Sequence, residues 1–352
     1  MEKLKLNETP VRTSKNFNIN NIEIKNVNVP KDINEFENFK IVNSNNTKIS
    51  EDISSYKLTY GLGDFLLNEI IENSNKKLNI NINGINNKIL LDFYFDKNNL
   101  NLLENIEFTA NKGSRANIII RYKSDEELEA YHNGIIKLFA EENSNITITI
   151  VNLLSLKSNN FLSIENIIKD NSKVNYNIID LGSINSITNY FSNLIGDNSK
   201  NNLKTIYLGR ESQVLDLNYI AELRGEKSEI DIDVQGALKD NSKKHFKGTI
   251  DFKKGCKKAK GNENESCILL SNTAKSIALP MLLCQEEDVE GNHSNSAGKI
   301  GEKELFYIMS RGIEFKDALK LMVRAKFNNI IENIKDDELK QEIIYEIEKR
   351  LD

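Results

Sequence analysis

Polar and apolar residues alternate along most of the middle of the chain. β-Branched or aromatic side chains take every second position, which is the spacing of strands with one buried face. Between residues 114 and 276 the pattern offers almost no helix. The clearest predicted strands are residues 78–82, 89–95, 117–122, 146–151, 174–179, 203–208, 214–219, 230–234 and 245–252.

A polar corner containing a serine recurs before most of these strands. Measured at the serines, successive corners lie 30, 28, 27, 13, 16 and 14 residues apart, which fits one unit of about 14 residues taken singly or in pairs. The sequence therefore predicts a mainly β fold, a parallel β-helix (β-solenoid). A twisted β-sandwich is the alternative, although its turn spacings drift with hairpin length. The corners are residues 112–115, 142–145, 170–173, 197–200, 210–213, 226–229 and 240–243.

The two ends of the chain differ from this middle part. Residues 302–310, 315–334 and 336–351 show a 3.6-residue apolar period and predict three helices, and residues 66–75 predict one more. We expect a mixed N-terminal region (1–76), a β-helix core (77–297) and a C-terminal α-helical domain (298–352). A stack of strands has exposed ends, and we expect the C-terminal helices to close one of them.

Composition and charge narrow the possible partners and location. The chain has 47 basic and 52 acidic side chains and a net charge of −5, which argues against nucleic acid as a partner. No apolar run approaches the ~20 residues of a membrane span, and the first 16 residues lack the apolar core of a secretory signal. The three cysteines suit reduced thiols. We expect a cytoplasmic protein without membrane contact.

The usual catalytic signatures are absent from the sequence. It contains no GxxxxGK[ST], HExxH or GxSxG motif, and the pair Gly61-Leu62-Gly63 lacks the third glycine of a dinucleotide loop. A carbohydrate-acting β-helix would need carboxylates facing one groove from neighbouring coils. Asp231 and Asp233 share one face of a predicted strand, as do Asp216 and Asn218. Solvated outer-face residues are the simpler interpretation of both pairs.

Soft metal ligands form the remaining group of reactive side chains. Cys267, Cys284 and His293 lie within 27 residues, with Cys256 just upstream, but none has CxxC spacing. A buried core role is the simpler interpretation of Cys267. His293 lies in a polar segment between the predicted strands and helices, where an imidazole is accessible, either as a ligand or as an ordinary surface histidine.

Residues 287–313 resemble the signature segment of the SufB/SufD family, the scaffold components of the SUF iron–sulfur cluster assembly system. The matching positions are an acidic segment, His293, the Leu-Phe-Tyr run at 305–307 and the Arg-Gly-Ile run at 311–313. Residues 112–122, 207–209, 246–250 and 269–280 are similar to family landmarks in the same order. The resemblance implies a right-handed parallel β-helix followed by a helical domain, in agreement with the repeat.

Within that family the chain resembles the SufD type more than the SufB type. Ser294 follows His293 where SufB-like proteins have glutamate, and residues 272–274 (Asn-Thr-Ala) stand where their cysteine is expected. Gly291 stands where SufD-like chains often have cysteine. The resemblance therefore implies His293 as the metal ligand, with Cys284 nearby but out of the usual register. It implies a transient iron–sulfur cluster at an interface shared with a partner. Because the sequence has no phosphate loop, we expect no nucleotide on this chain.

The resemblance also implies two protein partners. One is a SufC-like ABC ATPase, which docks on the C-terminal helices; the other is a SufB-like paralogue, or a second copy of this chain, which pairs with the open edge of the last strands. The leading hypothesis is a scaffold without enzymatic activity. The alternatives are a polysaccharide-acting β-helix enzyme and a self-assembling structural β-solenoid. The expected partner-binding residues are Phe306, Tyr307, Arg311, Gly312, Ile313 and Leu319.

Overall fold

The computed structural model describes residues 2–13, 19–43 and 46–352. The N-terminal region contains four short strands and one helix. Strands β1 and β2 form an antiparallel pair. The predicted helix at residues 66–75 is confirmed, with a shift of two residues toward the N-terminus. These elements are β1 (Glu2–Leu6), β2 (Ile22–Val27), β3 (Phe39–Val42), β4 (Thr47–Ser50) and α1 (Asp64–Asn73).

Sixteen further strands alternate between two sheets and build a β-solenoid of about eight turns. Neighbouring strands within each sheet are parallel. The exceptions lie at the first end of the two sheets, where β3 pairs antiparallel with β6 and β4 pairs antiparallel with β5. The predicted β-helix is confirmed, and the β-sandwich alternative is wrong. The even sheet contains β6 (Ile85–Phe95), β8 (Arg115–Ser124), β10 (Asn145–Leu153), β12 (Lys173–Asp180), β14 (Lys200–Gly209), β16 (Glu229–Leu238), β18 (Ala259–Leu269) and β20 (Val289–Lys299). The odd sheet contains β5 (Lys76–Ile82), β7 (Asn101–Ala110), β9 (Tyr131–Ala140), β11 (Asn159–Ile168), β13 (Asn185–Leu194), β15 (Val214–Leu223), β17 (Lys243–Phe252) and β19 (Lys275–Cys284).

The polar corners mark the points where the chain turns from one sheet to the other. Asn145 pairs with Lys173, and Lys173 with Lys200, so one full coil takes 28 and then 27 residues here. The unit of about 14 residues is thus half a coil. At these corners Asn143 and Asn171 adopt positive φ values of 59° and 55°, a conformation that asparagine tolerates well. Six of the seven corner serines are buried, and Ser212 is exposed; the buried ones are Ser114, Ser144, Ser172, Ser199, Ser228 and Ser242.

The odd sheet is covered on its outer face by the N-terminal region. Leu4 and Ile24 of the β1–β2 hairpin belong to one apolar cluster with Leu103, Phe161 and Ile187, whose side chains point out of the solenoid. Strands buried on both faces lose the simple alternation of apolar and polar positions. This explains why the sequence pattern did not single out β7, β9, β11 and β13.

The C-terminal helices do not close the end of the solenoid, so that expectation is wrong. Helices α3 (Phe315–Ile331) and α4 (Asp337–Leu351) lie against the outer face of the even sheet, and α2 (Glu302–Met309) has no buried residue. The reason is that β8 to β16 carry an outward apolar stripe, which the apolar faces of α3 and α4 cover. This interface includes Ile119, Val151, Ile179, Ile206 and Ala237 of the sheet and Val323, Phe327, Ile330, Ile343 and Ile347 of the helices.

The three C-terminal helices match their predicted bounds to within three residues. Asp336 caps α4 by accepting a hydrogen bond from the Leu339 N–H at 3.0 Å. Gly312 lies beyond the end of α2 with φ 86°, and its N–H donates to the Met309 carbonyl at 3.0 Å. None of the helices in the described ranges combines the length and apolar composition needed to cross a bilayer.

Candidate functional site at the last coil

His293 lies on β20, the last strand of the even sheet. It is in register with Glu263 of β18. Glu263, Glu265 and Cys267 are buried and alternate with the exposed Asn262 and Asn264, so they face the lumen, the space between the two sheets. In-register residues of neighbouring strands point to the same face, which places His293 on the lumen side. It is exposed because no further coil lies above it.

Below His293 the lumen contains a buried ion pair. The Lys244 Nζ donates to Glu265 Oε1 at 2.8 Å, and the Tyr207 hydroxyl donates to the same oxygen at 3.0 Å. Both charged side chains are almost fully buried. Burial raises the pKa of the neighbouring Cys267 thiol, while Tyr207 and Lys244 act in the opposite direction. The thiol therefore holds its proton more firmly than an exposed cysteine does.

Glu263 has a different environment from Glu265. Glu263 is 3% exposed, and neither of its carboxylate oxygens makes a hydrogen bond of standard geometry with the residues that the structure describes. Burial raises the pKa of Glu263 to about 7, and the nearby Asn295 amide opposes this effect. A Cβ added at Gly248 would overlap the Glu263 Oε2, so a larger residue at position 248 would require the flexible glutamate side chain to shift.

The two ligand candidates predicted from the sequence do not lie together. The Glu263 carboxylate lies next to Gly248 across the lumen. In the next coil Gly248 is in register with Pro280, and Glu263 is in register with His293, so His293 faces Pro280 across the lumen. Cys284 lies four residues beyond Pro280 on β19, which places it about 13 Å from Pro280 at the usual rise of a strand. Its Sγ donates to the Glu286 carbonyl at 2.9 Å.

The other thiols are also separate from His293. Cys267 is in register with Ala297, four residues along β20 from His293. Cys256 is buried, and burial raises its pKa to about 11. Among residues 2–13, 19–43 and 46–352, no three His, Cys, Asp or Glu side chains are placed to hold a metal ion. The described chain thus offers an imidazole and a carboxylate at the last coil, without an adjacent thiolate.

Gly291 lies on the same face of β20 as His293, two residues earlier. A Cβ at this position would lie 3.1 Å from Cε2 of Phe252, which is tight but leaves the ring free to adjust. The position where SufD-like chains often have cysteine is therefore directed toward the lumen, beside the imidazole.

Sequence reasoning missed the lumen residues Glu263, Glu265 and Lys244. Strand β18 carries polar side chains on both faces, so it shows no apolar alternation. The usable signal was the density of carboxylates in residues 262–266, one coil before His293, but only the observed pairing places these groups beneath the imidazole.

A second feature is the apolar surface at the start of the helical region. The side chains of Phe306 and Tyr307 on α2 are 74% and 61% exposed, and Ile313 and Phe315 are also exposed. We call these four residues the α2–α3 surface. Isolated exposed apolar residues are common, but adjacent large ones usually mark a binding surface.

The remaining predicted partner residues border the α2–α3 surface. The Arg311 guanidinium lies 5.2 Å from the centre of the Tyr307 ring, and its Nη2 donates to the Tyr307 hydroxyl at 3.2 Å. Nothing lies within 4 Å of a Cβ built at Gly312, and Leu319 is half-buried. Arg311 therefore holds Tyr307 in place rather than pairing with a carboxylate.

The carboxylate pairs considered for a polysaccharide enzyme lie on opposite outer faces. Asp231 and Asp233 are on the outer face of the even sheet, where their in-register neighbours are asparagines and Lys204. Asp216 is buried outside the odd sheet, and its carboxylate accepts hydrogen bonds from Asn7 and Lys247. Neither pair meets a second carboxylate in register on an adjacent coil.

Comparison with known proteins finds relatives among iron–sulfur cluster assembly proteins. SufD from Bacillus subtilis strain 168 is 29% identical over 127 residues, which cover 36% of this chain and 29% of that protein. SufD from Escherichia coli strain K12 is 28% identical over 114 residues, covering 32% and 27%. An iron–sulfur cluster assembly SufBD family protein from Archaeoglobus fulgidus is 25% identical over 223 residues, covering 61% and 58%.

The aligned parts span less than a third of either SufD sequence. A family model described as the SufBD core domain of SUF-system FeS cluster assembly matches residues 93–326, more than half of the chain. This protein therefore belongs to the SufB/SufD family of iron–sulfur cluster assembly proteins and is SufD-like.

Proposed function

We propose that this protein is a non-enzymatic scaffold subunit of an iron–sulfur cluster assembly complex. It docks a SufC-like ABC ATPase through the α2–α3 surface and pairs through its last coil with a SufB-like paralogue or a second copy. His293 contributes an imidazole to a transient cluster at that shared interface. ATP hydrolysis belongs to the docked subunit.

The α2–α3 surface is the observation that carries the ATPase part of the proposal. Helices α3 and α4 bury their apolar faces against the even sheet, but Phe306 and Tyr307 of α2 remain exposed beside them. Fully burying an aromatic side chain gains about 1.5–3 kcal/mol, so two such residues can anchor a partner. Both side chains remain exposed in the folded chain, so this free energy is gained only when a partner covers them.

The open last coil supports the pairing part of the proposal. β20 and β19 are the terminal strands of the two sheets, so one backbone edge of each is unpaired. Such edges favour pairing with another chain. His293 lies on this exposed coil, where a neighbouring subunit can supply the thiolates that the described part of this chain does not place beside it.

The test is co-expression of the chain with a SufC-like ATPase from the same genome, followed by affinity purification. We expect the wild type to retain the ATPase and the Phe306→Ala/Tyr307→Ala double variant to lose it. Tyr345→Ala is the matched control, since Tyr345 is a 62% exposed aromatic residue on α4, outside the α2–α3 surface.

Failure of the wild type to retain the ATPase would contradict the proposal. So would equal retention by the double variant, because docking would then occur elsewhere. Circular dichroism should give the same melting temperature for all three chains, since none of the replaced side chains is buried.

A further inference from the structure

The C-terminal end of α4 and three connections of the solenoid border a cavity of about 610 Å³ that the proposed function does not use. Its walls include residues 123–127, 153–156 and 210–211, at the ends of β8, β10 and β14, and the α4 residues Lys349 and Arg350. Small-molecule sites commonly have volumes of about 300–1,000 Å³. The cavity shares no lining residue with the α2–α3 surface or the last coil.

Arg350, in the last turn of α4, is 8% exposed and lines this cavity. Its Nε donates to the Leu181 carbonyl at 2.8 Å, and its Nη1 donates to the Glu346 carbonyl at 3.2 Å and to the Glu346 carboxylate. Among the described residues, no acceptor binds its Nη2. One amino group of a deeply buried cation is therefore unused.

Arg210, in the connection between β14 and β15, supplies a second guanidinium to the same cavity. Within the described ranges its side chain has no hydrogen-bond acceptor and no ion-pair partner, and its Nε is shielded from solvent. A buried charged donor without an acceptor is costly, and such a group usually has a bound partner.

The two guanidinium groups repel each other. Burial and, to a lesser extent, the positive charge of Arg210 lower the pKa of Arg350 to about 10, although Glu126 opposes both effects. An anion bound to both groups would offset this repulsion and would satisfy the free N–H donors.

The acidic side chains around the cavity do not supply that anion. Most already have partners at 2.6–2.8 Å: Glu126 with Lys349, Glu127 with Lys157, and Asp125 with the Tyr94 hydroxyl. Glu346 is bound to Arg350 itself, on Nη1 and not on Nη2. Glu211 has no side-chain partner in the described part of the chain, but it forms no ion pair with Arg210. The free donors of Arg210 and Arg350 are thus left for an external anion.

We propose that Arg210 and Arg350 together bind one oxyanion, a phosphate or carboxylate group, in this cavity. Guanidinium groups bind both kinds of oxyanion through parallel N–H donors. Because Arg350 belongs to α4 and Arg210 to the solenoid, the bound anion also fastens the end of α4 to the connection between β14 and β15. The site uses this chain alone and does not depend on the proposed function.

The first experiment is isothermal titration calorimetry of the purified full chain with inorganic phosphate and, in parallel, with acetate at equal ionic strength. We expect one ion to bind per chain, and the tighter of the two identifies the preferred head group. Arg210→Gln should weaken that binding at least about tenfold, because it removes the charge and the paired donors. Arg115→Gln is the matched control, since Arg115 is exposed at the start of β8, outside the cavity, and likewise has no ion pair in the described chain. It should bind like the wild type.

A second measurement locates the anion. In the NMR spectrum of the wild type, the arginine Nε–H resonance that Arg210→Gln removes should shift on addition of the tighter-binding anion. The resonance that Arg115→Gln removes should stay in place. Without the anion, both variants should melt at the wild-type temperature by circular dichroism, since neither replaced guanidinium makes an ion pair within the described chain.

The proposal is overturned if the wild type binds neither anion in the millimolar range, or if Arg210→Gln binds as tightly as the wild type. Equal weakening by Arg115→Gln would also overturn it, because the attraction would then come from general surface charge. Arg210→Gln should still retain the ATPase, so loss of anion binding with retained docking concerns this cavity alone.

Discussion

Replacing Asp180 by asparagine should stabilise the protein at neutral pH. Asp180 ends β12 and is buried among lumen residues, where its Oδ1 accepts a hydrogen bond from Asn152 Nδ2 at 2.9 Å. Its Oδ2 has no hydrogen-bond partner within the described part of the chain. Burial raises the pKa of Asp180 to about 6, although hydrogen bonds from Ser186 and Asn152 oppose this effect.

The magnitude follows from the difference between the folded and ordinary pKa values. The pKa of Asp180 rises from 3.8 to about 6, and each pKa unit corresponds to about 1.36 kcal/mol, so the ionised carboxylate costs the folded state about 3 kcal/mol. Because the folded pKa is the higher one, the cost is absent below about pH 4. It grows between pH 4 and 6 and is complete above pH 6.

An asparagine at position 180 keeps an oxygen acceptor for Asn152 and has no charge to bury. We expect the free energy of unfolding, measured by urea denaturation, to rise by about 1–3 kcal/mol at pH 7 and to change little at pH 4. Asp32→Asn, at an exposed aspartate, should have no comparable effect at either pH. A variant less stable than wild type at pH 7, or equally shifted at both pH values, would refute the reasoning.

Three further predictions concern the helix–sheet interface, residue 291 and the contact between β6 and α4. Phe327→Ala, in the helix–sheet interface, should lower the free energy of unfolding by about 3–5 kcal/mol, whereas Phe306→Ala should change it by less than about 0.5 kcal/mol. Equal effects of the two substitutions in thermal melts would contradict the packing of α3 against the even sheet. Gly291→Cys should add a thiolate-to-cobalt absorption band in an anaerobic Co²⁺ titration, and absence of the band would mean that residue 291 does not face the same side as His293. Arg121→Ala removes the guanidinium that joins β6 to α4 and should cost about 1–2 kcal/mol, measured as faster limited proteolysis of α4; unchanged proteolysis would argue against this bridge.

The strand content and the coil length could be predicted because they depend on local pattern. The corner before β10 shows why: Asn143 and Ser144 provide a left-handed turn and a small buried hydroxyl. A positive φ and a buried serine recur at most of the corners, although Ser212 is exposed. The C-terminal helices could be predicted equally well, since a 3.6-residue apolar period and an acidic N-cap at Asp336 are both local signals.

The position of those helices could not be predicted from the same signals. An apolar stripe on α3 shows that Phe327 must be buried, but it does not identify the surface that buries it. The partner surface lies on β8 to β16, more than 80 residues earlier in the chain. Its outward apolar residues, such as Val151, resembled lumen residues in the sequence because both belong to strands.

The candidate site likewise combines one residue that a local signal identifies with one that only the tertiary structure identifies. His293 was identifiable from the signature segment, which is continuous in sequence. Glu263 contributes through its pairing across a coil of 30 residues, and register depends on how every preceding corner is built. A local pattern does not contain that information.

The half-coil unit has a consequence for how chains of this kind can change in length. Each coil repeats the path of the one before it, so adding or deleting a complete turn leaves inward side chains inward. A single extra residue inside a strand instead reverses the orientation of all side chains up to the next corner. Length variation should therefore accumulate at corners or come in whole turns, and a chain could grow or shrink along its axis while its last coil stays intact.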